Sequence, residues 1–220
     1  MVVFNELLKT KGGEMKVLKG IVVVALVMSI AGAASASSIA AKVWYADANE
    51  LEDPALHYGL TGSLGLGESM WISGMFLTGT FDDGLGTDID VESTDAEIIL
   101  GGTYDMLDFG VGMRYSQWTF GDSAVNDEFI YGGPTVYLGL GNTIGDTPVG
   151  WYVGGTYMFF DLGDAYDDDW EDTYEHWNVE GGLFLAMGSV SATIGYRYKD
   201  FVNYDDSEIA GIAGSLGFGF

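Results

Sequence analysis

Apolar and polar side chains alternate with a period of two through most of the chain beyond residue 37. In one stretch Leu56, Tyr58, Leu60, Leu64 and Leu66 oppose His57, Gly59, Thr61, Ser63 and Gly65. In another Phe109, Val111, Met113 and Tyr115 oppose Gly110, Gly112, Arg114 and Ser116. In a third Ala192, Ile194, Tyr196 and Tyr198 oppose Ser191, Thr193, Gly195, Arg197 and Lys199. Successive side chains of a strand point to opposite faces, so the pattern predicts strands with one greasy face and one small or polar face. Breaks at Gly, Asp, Asn, Ser and Pro divide it into ten predicted strands: 39–48, 56–67, 70–81, 94–106, 109–120, 128–140, 149–161, 174–187, 190–201 and 208–220. The segment 70–81 is ambiguous, with Trp71 and Leu77 on one face against Ile72 and Phe76 on the other. If it and 39–48 are loops, the count falls to eight.

The final segment organises the rest. Ala210, Ile212, Gly214, Leu216, Phe218 and Phe220 share one face; Ile209, Gly211, Ala213, Ser215, Gly217 and Gly219 share the other. In water, such an uncharged, proline-free strand would seed aggregation through its unpaired edge. Closing the sheet removes the edges, and only helices and closed barrels satisfy their backbone within a bilayer. The connections agree, since 67–69, 105–108, 141–148 and 188–189 are short or of middle length. Segments 49–55, 82–93, 121–127, 162–173 and 202–207 are longer and acidic, and nearly all the acid sits on their side, with Glu68, Asp105, Asp108 and Asp146 the exceptions. Short turns on one side and long loops on the other is the outer-membrane pattern. Aromatics fall at two levels: Trp71, Phe109, Trp151, Phe218 and Phe220 near the short turns, and Tyr45, Phe81, Trp118, Phe129, Phe159, Trp177 and Tyr198 near the long loops. Two girdles suit a bilayer with two interfaces, whereas a soluble sandwich gathers its aromatics in one core.

Before the strands lies a leader. Met15-Lys-Val-Leu-Lys19 is basic, the run from Ile21 to Ala34 is apolar, and Ala34-Ser35-Ala36 closes it. The run is too short to span a membrane, and the three parts together predict a signal peptide over 1–36, cleaved after Ala36, with Met15 as the true start. Residues 37–220 are then one barrel domain. Without Glu6, Glu14, Lys9, Lys11, Lys16 and Lys19, this domain holds 31 acidic and 4 basic residues, a net charge of −27. That balance excludes nucleic acid as a partner, because phosphate binding needs a basic footprint. The absence of cysteine removes disulfide and thiol chemistry.

Few residues carry candidate chemistry. A turn centred on 188–189 sets Glu180 opposite Arg197 and Asn178 opposite Lys199, all on the inner face. In the hairpin turning at 105–108, Glu97 lies diagonal to Arg114. Glu180, Arg197, Glu97, Arg114 and Lys199 are thus candidate lumen ion pairs, either structural or forming a charged constriction; Lys42 stands apart as the cation without an inward acid. His57 and His176 are the two imidazoles. His176 sits at a long-loop end with Glu175, Asp161 and Asp200 near, but neither His has a convincing serine beside it, so no catalytic residue is assigned. The acid runs 164–172, 82–83 and 88–90 offer oxygen ligands to divalent cations, yet lack the EF-hand spacing; they read as solvated loops with no dedicated metal site and no cofactor. The glycine pairs at 101–102, 132–133, 154–155 and 181–182 fall mid-strand, where they ease curvature.

The leader, the alternation, the girdles and the terminal Phe220 together resemble the small Gram-negative outer-membrane barrels, the broad group of the OmpA barrel, OmpX and OmpW. That resemblance implies a cell outer-membrane location, contact with lipid and lipopolysaccharide, and a closing strand read by the barrel assembly machinery; divalent cations bridging the acidic loops to lipopolysaccharide phosphates are a further reading, drawn from the loop carboxylates themselves. The expected function is non-enzymatic: a narrow porin-like barrel, cation-preferring by its charge, or a surface-interaction barrel with acidic extracellular loops. The alternatives are a structural or adhesive barrel with a plugged lumen, and a rim hydrolase resembling the omptins or the lipid A deacylases.

Overall fold

The computed structural model describes residues 37–48, 54–82, 90–121, 126–159, 175–202 and 207–220. The leader 1–36 and most of the acidic segments expected to be loops lie outside these. Ten strands form in chain order: β1 (Ser37–Ala48), β2 (Ala55–Gly65), β3 (Met70–Asp82), β4 (Asp90–Tyr104), β5 (Leu107–Gly121), β6 (Asn126–Thr143), β7 (Val149–Met158), β8 (His176–Met187), β9 (Val190–Phe201) and β10 (Ile209–Gly219). Each pairs antiparallel with its sequence neighbours, and β10 pairs with β1 to close the barrel. The count is ten rather than eight. Both doubtful segments are true strands, β1 lying between β2 and β10, and β3 between β2 and β4.

Short turns are built by residues that accept a positive φ. Gly188 (φ 61°) opens the β8–β9 turn, Asp105 (φ 56°) the β4–β5 turn, and Gly145 (φ 60°) lies between β6 and β7. The seam joins Ser38 opposite Gly219 through Ala48 opposite Ile209. It extends to Phe220, whose backbone N–H donates to Ser37 O at 2.8 Å and whose carbonyl accepts from Ser37 N at 3.1 Å. The start of β1 and the end of β10 therefore lie together on the short-turn side.

Alternation sorts the side chains as expected. Val43, Tyr58, Leu100, Val111, Leu138, Ile194, Ile212 and Leu216 point outward and are exposed. The girdles need three corrections. Tyr45, Phe109, Trp151, Phe159, Trp177, Phe218 and Phe220 are exposed. Phe81 is buried, Trp118 packs on the inward cluster that holds it, and Trp71 lies edge-on to Tyr137 with its Nε1 bonded to Thr103. All three point inward. Their strands place them there by parity, since Trp71 and Phe81 share the Leu77 face of β3 and Trp118 shares the Arg114 face of β5. The side chain of Phe129 lies outside the described residues.

Mid-strand glycines give these rings room. A Cβ on Gly139 or Gly154 would lie 2.3 or 2.8 Å from the Tyr137 hydroxyl, and one on Gly101 would lie 2.4 Å from the Trp71 ring. Glycine on one strand thus lets an aromatic ring lie flat against the inner wall.

Candidate functional site

The lumen is layered. Toward the long-loop end, Trp44, Ala46, Ala48, Ala55, Leu77, Phe81, Val91, Ile209 and Ala213 form a buried apolar cluster, with Met75 and Trp118 packed against it. Phe81 and Trp118 stack with their planes 8° apart. A barrel of about eight strands is just wide enough for its own side chains to fill, and ten strands are filled here by using tryptophan and phenylalanine.

Below this cap, charged residues meet across the barrel. Asp95 of β4 accepts from Lys199 of β9 at 2.8 Å and from the Ser116 hydroxyl at 2.8 Å. Arg114 and Arg197 bring their Nη2 atoms to 3.5 and 3.6 Å from the other Asp95 oxygen. Arg114 Nη1 also donates to Thr156 at 3.1 Å and reaches Glu97 at 3.4 Å. Arg197 Nε donates to Asn178 at 2.8 Å, and its guanidinium lies 4.6 Å from the centre of the Trp44 ring. Arg114, Arg197 and Lys199 are 2%, 0% and 1% exposed, so they are closed off from bulk water. A separate pair lies nearer the short turns: Lys42 donates to Glu180 at 2.5 Å, and the Tyr152 hydroxyl donates to the other Glu180 oxygen at 2.8 Å.

Every site residue expected from sequence faces the lumen, but the partnerships differ. Backbone register sets Glu180 opposite Arg197 and Asn178 opposite Lys199, as the turn dictates. Glu97 is directly opposite Arg114, not diagonal to it, because the β4–β5 turn is two residues long. Arg114 does pair with Glu97, at 3.4 Å, but Glu180 binds Lys42 rather than Arg197, and Lys42 is therefore not the unpaired cation. Arg197 and Lys199 turn instead to Asp95, which sequence reasoning missed. Pairing within one hairpin does not reach across a lumen. The available signal was parity, for Asp95 lies on the same face as Glu97.

The imidazoles are also inside. His57 lies between Trp44 and Phe81, with ring centroids 5.2 and 5.0 Å away. Contrary to the sequence reading, a serine does stand beside it: Ser93 Oγ is 2.5 Å from His57 Nε2. Among the described residues no carboxylate reaches His57 Nδ1, so the imidazole lacks the acidic third member of a triad, and both residues are buried. His176 is buried against Phe201, and neither ring nitrogen has a hydrogen-bond partner among the described residues. Its expected carboxylate neighbours do not gather round it. Glu175 takes the Tyr157 hydroxyl and Asp200 takes Ser207, since residues adjacent in a strand point to opposite faces. Asp161 lies outside the described residues. No group of three metal-ligating residues occurs among the described residues.

Beneath the charged layer a cavity of about 600 Å³ opens toward the short turns. Its inner end is formed by Lys42, Glu97, Thr156, Asn178 and Glu180, and its outer part by Asp108, Asn142, Thr143 and Phe184. The lumen is thus a cup, open toward one end and filled toward the other.

No protein-family model matches the chain, and no curated protein matches it. Among solved structures it is similar to the translocator domain of autotransporter NalP from Neisseria meningitidis, at 11% identity over 93% of this chain and 97% of that one, with a TM-score of 0.41. It is also similar to the CymD monoaromatic hydrocarbon channel, at 8% identity over 84% of this chain and 87% of that one, with a TM-score of 0.35.

Proposed function

We propose that this chain is an outer-membrane β-barrel whose lumen is closed to solute flow, and that it acts at the cell surface through its acidic long-loop segments. The membrane reading is supported by the outward belt of exposed apolar and aromatic side chains, since soluble monomers rarely expose contiguous apolar patches of more than a few hundred Å². Strand length agrees: a crossing takes about 9–11 residues, and the ten strands run from 10 to 18.

One observation carries the closed reading, the buried network of Asp95 with Arg114, Arg197 and Lys199 beneath the Trp44–Phe81 cap. A selectivity constriction keeps its charges wet so that ions exchange with them; these are at most 2% exposed cations bonded to fixed partners. The barrel is read as non-enzymatic, because the His57–Ser93 pair has neither an orienting carboxylate on Nδ1 nor exposure to a substrate. Its partners are lipid, the assembly machinery that reads the closing strand, and lipopolysaccharide, whose phosphates divalent cations bridge to the loop carboxylates. Swelling of liposomes carrying the purified protein tests closure. Vesicles in isotonic arabinose or glycine should keep their volume; swelling at rates above protein-free vesicles overturns the reading.

A further inference from the structure

We propose that the lumen cup binds a neutral saccharide of one or two pyranose units, entering from the short-turn side. Room is the first argument. The cavity of about 600 Å³ falls within the roughly 300–1,000 Å³ of small-molecule sites. Such sites combine aromatic or apolar walls with a few convergent polar groups, and the cup has both.

The floor presents hydrogen-bonding groups that the barrel itself does not use. Glu97 accepts from Arg114 and Thr156 through Oε2 alone, and its Oε1 takes no bond among the described residues. Asn178 accepts from Arg197 through Oδ1, which leaves its amide N–H groups. Neither Glu97 Oε1 nor Asn178 Nδ2 is shut away from solvent, and both residues line the cavity. Lys42, beside them, carries three donors and uses one, on Glu180. Donors and an acceptor side by side answer hydroxyl groups, which both give and take hydrogen bonds.

Charge selects a neutral ligand. Among the described side chains, the inward cations are Lys42, Arg114, Arg197 and Lys199, and the inward carboxylates are Asp95, Glu97, Asp108 and Glu180. Four face four, so an ionic ligand would bring an unmatched charge into the lumen, which is unfavourable. The walls select a sugar ring. Tyr137 lies across Gly139 and Gly154, and Phe184 across Gly150, so closely that a Cβ on any of these glycines would clash with the ring. Both aromatics are thus laid along the wall, and both line the cavity. Aromatic faces are negative and attract the C–H face of a pyranose, whose hydroxyls then meet the floor.

The test uses the full chain in an amine-oxide detergent, which carries no sugar headgroup. Saturation-transfer NMR titrations with glucose, maltose, cellobiose and N-acetylglucosamine are compared with glutamate and putrescine. At least one sugar should bind saturably, with transfer strongest at its ring C–H protons, and the two charged probes should not bind. Tyr137→Leu should weaken that binding about tenfold, the worth of one aromatic face. Should that variant fail to fold, crystals of the unaltered protein soaked in the same sugar decide, with density expected between Tyr137 and the Glu97–Asn178 floor. No binding by any sugar, tighter binding of glutamate or putrescine, equal binding by Tyr137→Leu, or density on the outer surface alone would overturn the proposal. The inference rests on the cup and not on closure at the far end. Liposome swelling reads closure, and these titrations read the site whether or not the barrel conducts.

Discussion

Asp95 holds the lumen together by neutralising side chains from two other strands. It bonds Lys199 and lies in ion-pair range of Arg114 and Arg197, so its loss exposes three buried cations at once. Removing one member of a buried pair costs about 3–5 kcal/mol, because the other charge is left without a partner. Asp95→Ala is therefore expected to lower unfolding stability by at least about 3 kcal/mol, measured by urea titration in micelles. Glu180→Ala should cost less than Asp95→Ala, because it strands only Lys42, and the side chains of that pair keep 12% and 15% of their exposure. A loss at Glu180 equal to that at Asp95 would contradict this ranking. Which residues point inward was legible from parity alone. Which inward residues touch was not, because a barrel brings β4 against β9 and β1 against β8 across the lumen, and no spacing along the chain records that. Ser93 beside His57 is the same case on a smaller scale, two residues on strands that are not neighbours.

At the scale of the strands, alternation worked wherever one face is greasy and the other small. It located every strand and fixed the inner face of β10. It faded near the long-loop ends, where both faces turn polar: β4 begins at Asp90, four residues before the alternation becomes clear. The girdle reading failed for Trp71, Phe81 and Trp118, which parity places inside, because a filled lumen also takes large aromatics; an aromatic near a strand end does not by itself mark an interface. The seam offers an element-scale test. A Cβ on Gly211 would lie 1.8 Å from the Tyr45 carbonyl oxygen, so β10 can approach β1 only with glycine there. Gly211→Ala should push the strands apart and expose two edges, which lipid does not tolerate. The folded, fast-migrating band on unheated SDS gels should shrink markedly. Gly219→Ala, whose Cβ would meet Ser37 O at an ordinary 3.5 Å, should leave that band unchanged. Equal band intensities for the two variants would place the seam contact elsewhere.

For the whole molecule, the barrel class was legible because a bilayer imposes its requirements on every strand. The plug was not, because it depends on volumes and cross-lumen distances that alternation does not encode. Sequence left a charged constriction and a filled lumen both open. Burial of Arg114, Arg197 and Lys199 under an apolar cap favours the second. The cup on the short-turn side then admits solvent to the level of Lys42 and Glu180 and no further. Single-channel recording of the purified barrel in a planar bilayer tests this most directly. Closure predicts that insertion, confirmed by protein recovered in the membrane, leaves a flat current in molar potassium chloride at either polarity. Stepwise cation-selective openings would contradict it and make the charged layer the filter of a narrow pore.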